Sequence, residues 1–442
     1  MPPSIKTEDL VDQFIQDPKH VDNLLFVEKT NSFYLYQEGQ GYYKLLDPSE
    51  FETVVYKYFR HNMPKSISKN AVHDFMYQIR LSCYRQSDIV SPNYIALKDV
   101  LLNLTTFKFE SFDRNKITYY SAPISSADFS MPTPQWKKFL DFIFVDEAYK
   151  PDTELQTVVQ EMFGYYLLND LRAHAAFFLV GGGANGKSRV MDVLIAMIGD
   201  RFISAQNIES LTTNRFALCS LIGKKLNICA EEESKYLRGD RFKALISGDP
   251  ISAERKYEDN FILYPTTKYL FLTNEMPSFE GINHGLRRRL KIIPFKRTIL
   301  DHERDINIVP KLLTELPGIF GWAVEGAKRL IANNYQFSKS RAMAETMQEF
   351  EDNISSALMF FRENYEEDEA SFIANDSLYT HYAQWCEANG RKKLNSNNFG
   401  KDIASMLKIK TVVKWDASEQ KPKRGRCVRL KKESYAVETP NN

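Results

Sequence analysis

Cysteine is sparse in this chain of 442 residues. Its five cysteines, Cys83, Cys219, Cys229, Cys386 and Cys427, are scattered and form no C-x-x-C pair. Neither a zinc site nor a disulfide framework is therefore indicated, and a reducing, cytosolic compartment fits best. An excess of charge is missing too: 58 Lys and Arg stand against 57 Asp and Glu, a formal net charge of +1. Any contact with nucleic acid must come from local patches, because bulk charge supplies no attraction. No apolar run approaches the length of a membrane-spanning helix. The opening residues, Met1-Pro2-Pro3-Ser4-Ile5-Lys6, lack a signal-peptide pattern, so no membrane partner is expected. Repeats of fixed period and long low-complexity segments are absent as well. What is present is a globular composition with enough apolar and aromatic residues for several cores, in a chain long enough for roughly three domains.

One segment carries chemistry on its own. Gly181-Gly182-Gly183-Ala184-Asn185-Gly186-Lys187-Ser188 fits G-x-x-x-x-G-K-[ST], the phosphate-gripping loop. The apolar run Ala175–Val180 leads into it as a buried strand. Val190, Met191, Leu194 and Ile198 leave it at helical spacing, with Gly199 as the stop. Glycines let successive N–H groups turn toward phosphate oxygens, and the helix N-terminus adds partial positive charge there. Lys187 would reach the β- and γ-phosphates of ATP, and the Ser188 hydroxyl would ligate Mg²⁺.

A triphosphate site also needs an acid on a neighbouring strand. Lys225–Cys229 is a short apolar strand running into Ala230-Glu231-Glu232-Glu233. Glu231 is placed near the metal and Glu232 beside the attacking water, with the register within the triplet left open. The bland alternative is a solvated acidic loop. Thr267–Thr273 reads as a strong strand, and Asn274 ends it where open α/β sheets place ligands. Arg287-Arg288-Arg289 then precede the apolar strand Leu290–Phe295. Arginine suits the charge that builds on a transferring phosphoryl group, and one supplied by a neighbouring subunit would make hydrolysis depend on assembly.

These elements, in this order, resemble the superfamily 3 helicases, and more closely the helicase part of the phage/plasmid primase-helicase family, to which the poxvirus primase-helicase is related. The resemblance rests on Asn185–Ser188, Glu231-Glu232, Ser247-Gly248-Asp249-Pro250-Ile251, Thr273-Asn274, and Arg288-Arg289 followed by Ile293-Pro294-Phe295. Pro317–Ala323 resembles a helical stretch of that family, and a weaker likeness reaches back to Tyr94–Leu101. The strong part covers residues 171–330. The resemblance implies an AAA+ ATPase that works as a homohexameric ring on single-stranded DNA, using ATP and Mg²⁺, in the cytoplasm of a bacterial or virus-infected cell. Arg288 matches the arginine finger, with Arg289 the fallback; Arg287 departs from the family pattern.

Two surfaces are candidates for DNA. Ile251–Tyr264 reads as two short strands around a polar turn, and by resemblance this is the hairpin of the central channel. Arg255 and Lys256 would contact phosphates and Tyr257 would stack on a sugar or base. Near the C-terminus, helices around Leu378–Trp385 and from Asn395 or Ser396 are followed by Thr411–Trp415 and Cys427–Leu430. These two strand-like runs flank the basic loop Lys421–Arg426. Two helices and a two-stranded wing make a winged-helix pattern, with Lys423, Arg424 and Arg426 as contacts to duplex origin DNA. The expected fold is thus α/β, with five parts. They are a mixed α+β N-terminal region over 1–128, a helical collar over 129–170, the AAA+ P-loop core over 171–300, a helical segment over 301–368 and a basic winged helix over 369–442. No priming centre is legible, so a primase or polymerase is expected as a partner. The competing readings are a replication initiator or loader that does not unwind processively, and a small-molecule kinase. The kinase leaves the arginines, the hairpin and the basic C-terminal segment without a role.

Overall fold

The computed structural model describes residues 7–17, 23–28, 32–62, 69–85, 93–230, 232, 236–255, 260–280, 284–391, 393–407, 409, 411–416 and 420–431. Its centre is a five-stranded sheet built from β1 (Ala176–Val180), β2 (Ile203–Ser204), β3 (Leu226–Cys229), β4 (Lys268–Thr273) and β5 (Leu290–Pro294). The strand order is β5-β1-β4-β3-β2 and every neighbouring pair is parallel. Parallel strands are covered on both faces, which is why these segments read as unbroken apolar runs. Alternate side chains feed two cores. Phe177, Leu179, Leu270, Leu272 and Ile293 face one; Ala176, Phe178, Tyr269, Phe271 and Ile292 face the other.

This register defines two rims. The C-terminal ends of β1 and β4 lie side by side, Val180 against Thr273. The N-terminal ends of β1 and β5 lie together at the opposite edge, Ala176 against Leu290. At a rise of about 3.3 Å per residue the two rims stand about 13 Å apart.

The helices expected as a separate collar do not form one. Trp136, Phe139, Leu140, Val158, Met162 and Phe163, from helices Pro134–Ile143 and Thr153–Leu167, enter the same core as β1 and helix Leu316–Ala332. Helix Thr153–Leu167 is apolar around most of its circumference, with ten buried residues, so the central sheet and helix Leu316–Ala332 must both cover it. The two helices approach so closely that a Cβ on Gly164 would overlap the Ala327 backbone.

Two further boundaries move. Residues 1–128 are not one unit, because Ile95, Leu101, Leu102 and Ile124 belong to the central core. A separate four-stranded sheet, ordered Tyr42–Leu45, Ser32–Gln37, Leu24–Val27, Tyr84–Arg85, packs with helices Thr7–Gln16, Pro48–Asn62 and Lys69–Ser82. Strands Ser32–Gln37 and Tyr42–Leu45 of this sheet form an antiparallel pair. At the other end, the C-terminal core begins at Ala357 rather than after residue 369. Helix Ser356–Asn364 belongs to it, and strand Tyr365–Glu367 pairs with Val428–Leu430. Helices Asn375–Ala388 and Ser396–Met406 follow, with a three-stranded sheet ordered Ile373–Ala374, Lys421–Arg426, Val412–Asp416. The basic segment Lys421–Arg426 is therefore a strand, not a loop.

Candidate functional site

The loop after β1 has the shape its glycines permit. Gly183 and Gly186 take φ values of 101° and 92°, which side chains disfavour, and Ala184 shares the left-handed region at 46°. The turn at Gly186 starts helix Lys187–Ile198. The Gly181 N–H donates to Thr273 O at 3.3 Å, and Ala184 O accepts from Ile299 N at 2.6 Å, so the loop is tied to both β4 and the segment after β5. Lys187 folds back over the loop. Its Nζ donates to Gly181 O and, at 3.2 Å, to Asn185 Oδ1. The side chain is only 8% exposed, and burial pushes its pKa below the usual lysine range. Gly182, Gly183 and Ser188 stand open, whereas Asn185 is buried, and its Nδ2 has no hydrogen-bond partner among the described residues.

The loop forms the floor of a cavity of about 960 Å³. Glu232 and Asn274 line it from the ends of β3 and β4. Glu232 is buried, and its Oε2 accepts from Ile208 N at 2.8 Å, so it also caps helix Ile208–Thr213. Its backbone N–H donates to Leu272 O, which fixes it beside β4. Asn274 is exposed to the cavity. Glu231 and Glu233 lie outside the described residues. The outer wall escaped the reading from sequence. Lys138, Phe139 and Phe142 come from helix Pro134–Ile143, and Ile299, Arg304, Ile306 and Lys311 from the segment after β5. Arg297 lies 3.9 Å from the Phe142 ring centroid and is held by Glu303 at 2.6 Å. The one available signal was the charged run Asp301–Asp305 after the last strand.

A nucleoside triphosphate with Mg²⁺ fits these groups. Loop N–H groups and Lys187 would hold the phosphates, and Ser188 with the acid at the end of β3 would hold the metal. Among the described residues no three His, Cys, Asp or Glu side chains form a metal-holding group. Mg²⁺ suits such a site, because it binds through one or two protein ligands, water and phosphate oxygens.

The three arginines before β5 have three different environments. Arg287 pairs with the fully buried Glu351, which also holds Arg362. Arg289 is buried, donating to Ser247 Oγ at 2.9 Å and to Gly285 O at 2.6 Å. Arg288 is exposed, and its guanidinium has no hydrogen-bond or ion-pair partner among the described residues. It precedes β5 and therefore lies on the rim opposite the loop.

The residues expected to touch DNA divide as sharply. Ile251–Ala253 and Phe261–Leu263 form the antiparallel hairpin, but Lys256 and Tyr257 lie outside the described residues. Arg255 donates to Ser32 Oγ at 3.0 Å and lies over the Phe261 ring. Lys423 pairs with Asp416 at 2.8 Å, and Arg424 is exposed. Arg426 is a correction. It is 2% exposed, and its guanidinium donates to Ile409 O and Gly400 O, so it braces the strand and is not available to DNA.

Comparison with known proteins places these parts. The family described as "D5 N terminal like" matches residues 29–145, and "Poxvirus D5 protein-like" matches residues 356–441. A putative helicase of Acanthamoeba polyphaga mimivirus is 28% identical over 183 residues. Two stretches of the chain are thus similar to poxvirus D5-like proteins, and its relatives are named helicase and primase. Residues 179–289, which carry the loop, Glu232, Asn274 and Arg288, also match a family of unknown function (DUF5906). The mimivirus alignment takes in 37% of this chain and 19% of that protein. A putative primase of African swine fever virus is 23% identical over 262 residues, 57% of this chain and 26% of its own length. The chain thus spans about a fifth to a quarter of the curated relatives it matches. Among solved structures, the apo form of the NrS-1 C-terminal region covers 92% of this chain and 96% of its own, at 14% identity and a TM-score of 0.49. No described helix is long and apolar enough to cross a membrane.

Proposed function

We propose that the chain is the ATP-driven motor of a DNA replication helicase, an AAA+ subunit that works in a homohexameric ring on single-stranded DNA. The observation that carries this reading is the division of the site. A phosphate loop, Glu232 and Asn274 share one cavity, while Arg288, exposed and without a side-chain partner among the described residues, stands on the opposite rim. The likeness to D5-like proteins and the relatives named helicase and primase support a role in DNA replication. In this reading Lys187 exchanges its contacts with Gly181 O and Asn185 Oδ1 for γ-phosphate oxygens. Ser188 and the acid at the end of β3 would hold Mg²⁺, which would neutralise charge developing on the phosphates. Asn274 and an acid of the Glu231-Glu232 pair orient water, and a neighbour's Arg288 stabilises the transition state. Phe142, Ile299 and Ile306 offer an apolar surface to the base. The hairpin at Arg255 faces the translocated strand. The C-terminal unit acts as a winged helix on duplex DNA near an origin, and a primase or polymerase works beside the motor.

Strand displacement on a forked substrate with ATP tests the reading. Wild type displaces the strand. Lys187→Ala folds but loses ATP turnover by at least about a hundredfold, the scale of removing one preorganised charge contact. ATP hydrolysis and DNA binding without displacement would make the chain a loader, and normal turnover by folded Lys187→Ala would refute the loop assignment.

A further inference from the structure

The outer face of the C-terminal hairpin exposes large apolar groups among cations. Trp415 is 68% and Val413 is 61% exposed. They alternate along Val412–Asp416, the edge strand of its sheet, so they share one face. Trp415 stands opposite Pro422 and Val413 opposite Arg424, which places all four side chains on that face. Arg424 has no hydrogen-bond or ion-pair partner among the described residues. On the other face Lys414 stands directly opposite Lys423. Like charges in that position are destabilising. Asp416, paired with Lys423 at 2.8 Å, offsets that repulsion. Lys421 adds a further cation opposite Asp416. The hairpin is also braced: Arg426, at its inner end, is fixed to Ile409 O and Gly400 O.

We infer that this face binds an unpaired nucleic-acid strand, with a base stacked on Trp415 and a phosphate held by Arg424. An exposed aromatic inside a cationic ribbon presents a π-face to bases and charge to the backbone, the combination used for single strands. A protein strand adding to this edge would meet Lys414, a charge that protects edges from such pairing. The inference rests on reading the C-terminal unit as nucleic-acid-binding, and it narrows the ligand from duplex to single strand. Trp415 is the added contact. Its side chain is too exposed to support the core, so its removal leaves the fold intact.

The test is fluorescence anisotropy of the full chain, without nucleotide, with a labelled oligothymidylate and with a blunt duplex of equal length. Trp415→Ala weakens oligothymidylate binding about 5- to 150-fold, the range of a lost stack, and Trp415→Phe restores most of it. Duplex affinity changes little. Arg424→Ala lowers the salt slope of oligothymidylate binding by about 0.7, the value of one phosphate contact on a single strand. A 5-iodouracil oligonucleotide crosslinks to Trp415. Unchanged oligothymidylate affinity in Trp415→Ala overturns the proposal. So does an equal loss on single strand and duplex, and so does loss of self-association alone, which would mark a protein contact. Because binding is read without ATP, this result stands apart from the motor reading, which is decided by turnover in Lys187→Ala.

Discussion

Lys225 and Lys268 stand side by side where β3 and β4 begin, with the Lys268 N–H donating to Lys225 O at 3.1 Å. Both ammonium groups reach the end of helix Thr153–Leu167. Lys225 Nζ donates to Leu167 O and Leu168 O at 2.8 Å each, and Lys268 Nζ donates to Leu168 O. Cations suit the C-terminal end of a helix dipole, but full burial opposes the charge. Burial pushes Lys268 down to about 7, against a partial counter-effect from Asp170. It pushes Lys225 well below the lysine range, helped by Lys268. In the unfolded chain a lysine keeps its proton up to about pH 10.4. Between about pH 7 and that value the unfolded state therefore binds more protons, and stability rises with pH. Below pH 7 Lys268 is protonated in both states and contributes no slope. Urea melts at pH 7, 8 and 9 should show a rise that Lys268→Met reduces by up to about 1.4 kcal/mol per pH unit. Equal slopes in the two proteins would show that Lys268 stays charged in the fold. The same desolvation logic separates the basic residues named from sequence. Arg288 and Arg424 are exposed, whereas Arg289 and Arg426 are drawn into backbone carbonyls. Residue type and spacing are alike in each pair, so nothing in the sequence distinguishes them.

Elements meet at Glu351. Helix Arg341–Ile354 carries it beside β5, where its buried carboxylate joins Arg287 to Arg362 of helix Ser356–Asn364. The segment bearing Arg288 is thereby tied to the first helix of the C-terminal unit. Removing one charge from a buried ionic group strands its partners at a cost of about 3–5 kcal/mol. Glu351→Gln should lose stability on that scale in chemical unfolding, whereas breaking the exposed pair Arg429–Glu366, at 2.7 Å, should change it far less, because solvent screens the pair. A Glu351→Gln loss as small as that would mean the bridge is screened by water. The elements most legible in the sequence were the central strands, because burial on both faces leaves an unbroken apolar signature at Ala176–Val180 and Lys268–Thr273. Loop chemistry was equally plain, since glycines and Lys187 have few alternative uses at that spacing. Charged segments were not. Lys421–Arg426 looks like a loop by composition, yet its inward Gly425 and Arg426 make it a strand. The wall at Arg304–Lys311 carries no motif at all.

At the scale of the whole molecule, the strand order decides what one chain can accomplish. The loop and Arg288, the two halves of the proposed site, are both legible in the sequence, but not that they lie on opposite rims, because that depends on β5 pairing with β1 in parallel. The loop, Glu232 and Asn274 lie at the carboxyl rim, and Arg288 lies at the amino rim, about one strand length away. No rotamer of Arg288 closes that gap within a chain. A head-to-tail interface does, and when its rotation closes it forms a ring. Turnover per chain should then rise with protein concentration until assembly is complete. Arg288→Ala should bind ATP and fail to hydrolyse it; Arg289→Ala should instead lose stability, since it empties contacts to Ser247 and Gly285. Lys187→Ala, inactive alone, still offers Arg288 to its neighbour. In an equal, randomly assembled mixture with Arg288→Ala, a site is intact only where an Arg288→Ala chain sits before a Lys187→Ala chain, which is about a quarter of the sites. Recovery of ATP turnover toward that level, read in a mixing titration, places the arginine in trans. An inactive mixture in which rings form by light scattering would place the completing group elsewhere, and an active Arg288→Ala protein would remove this arginine from the reaction.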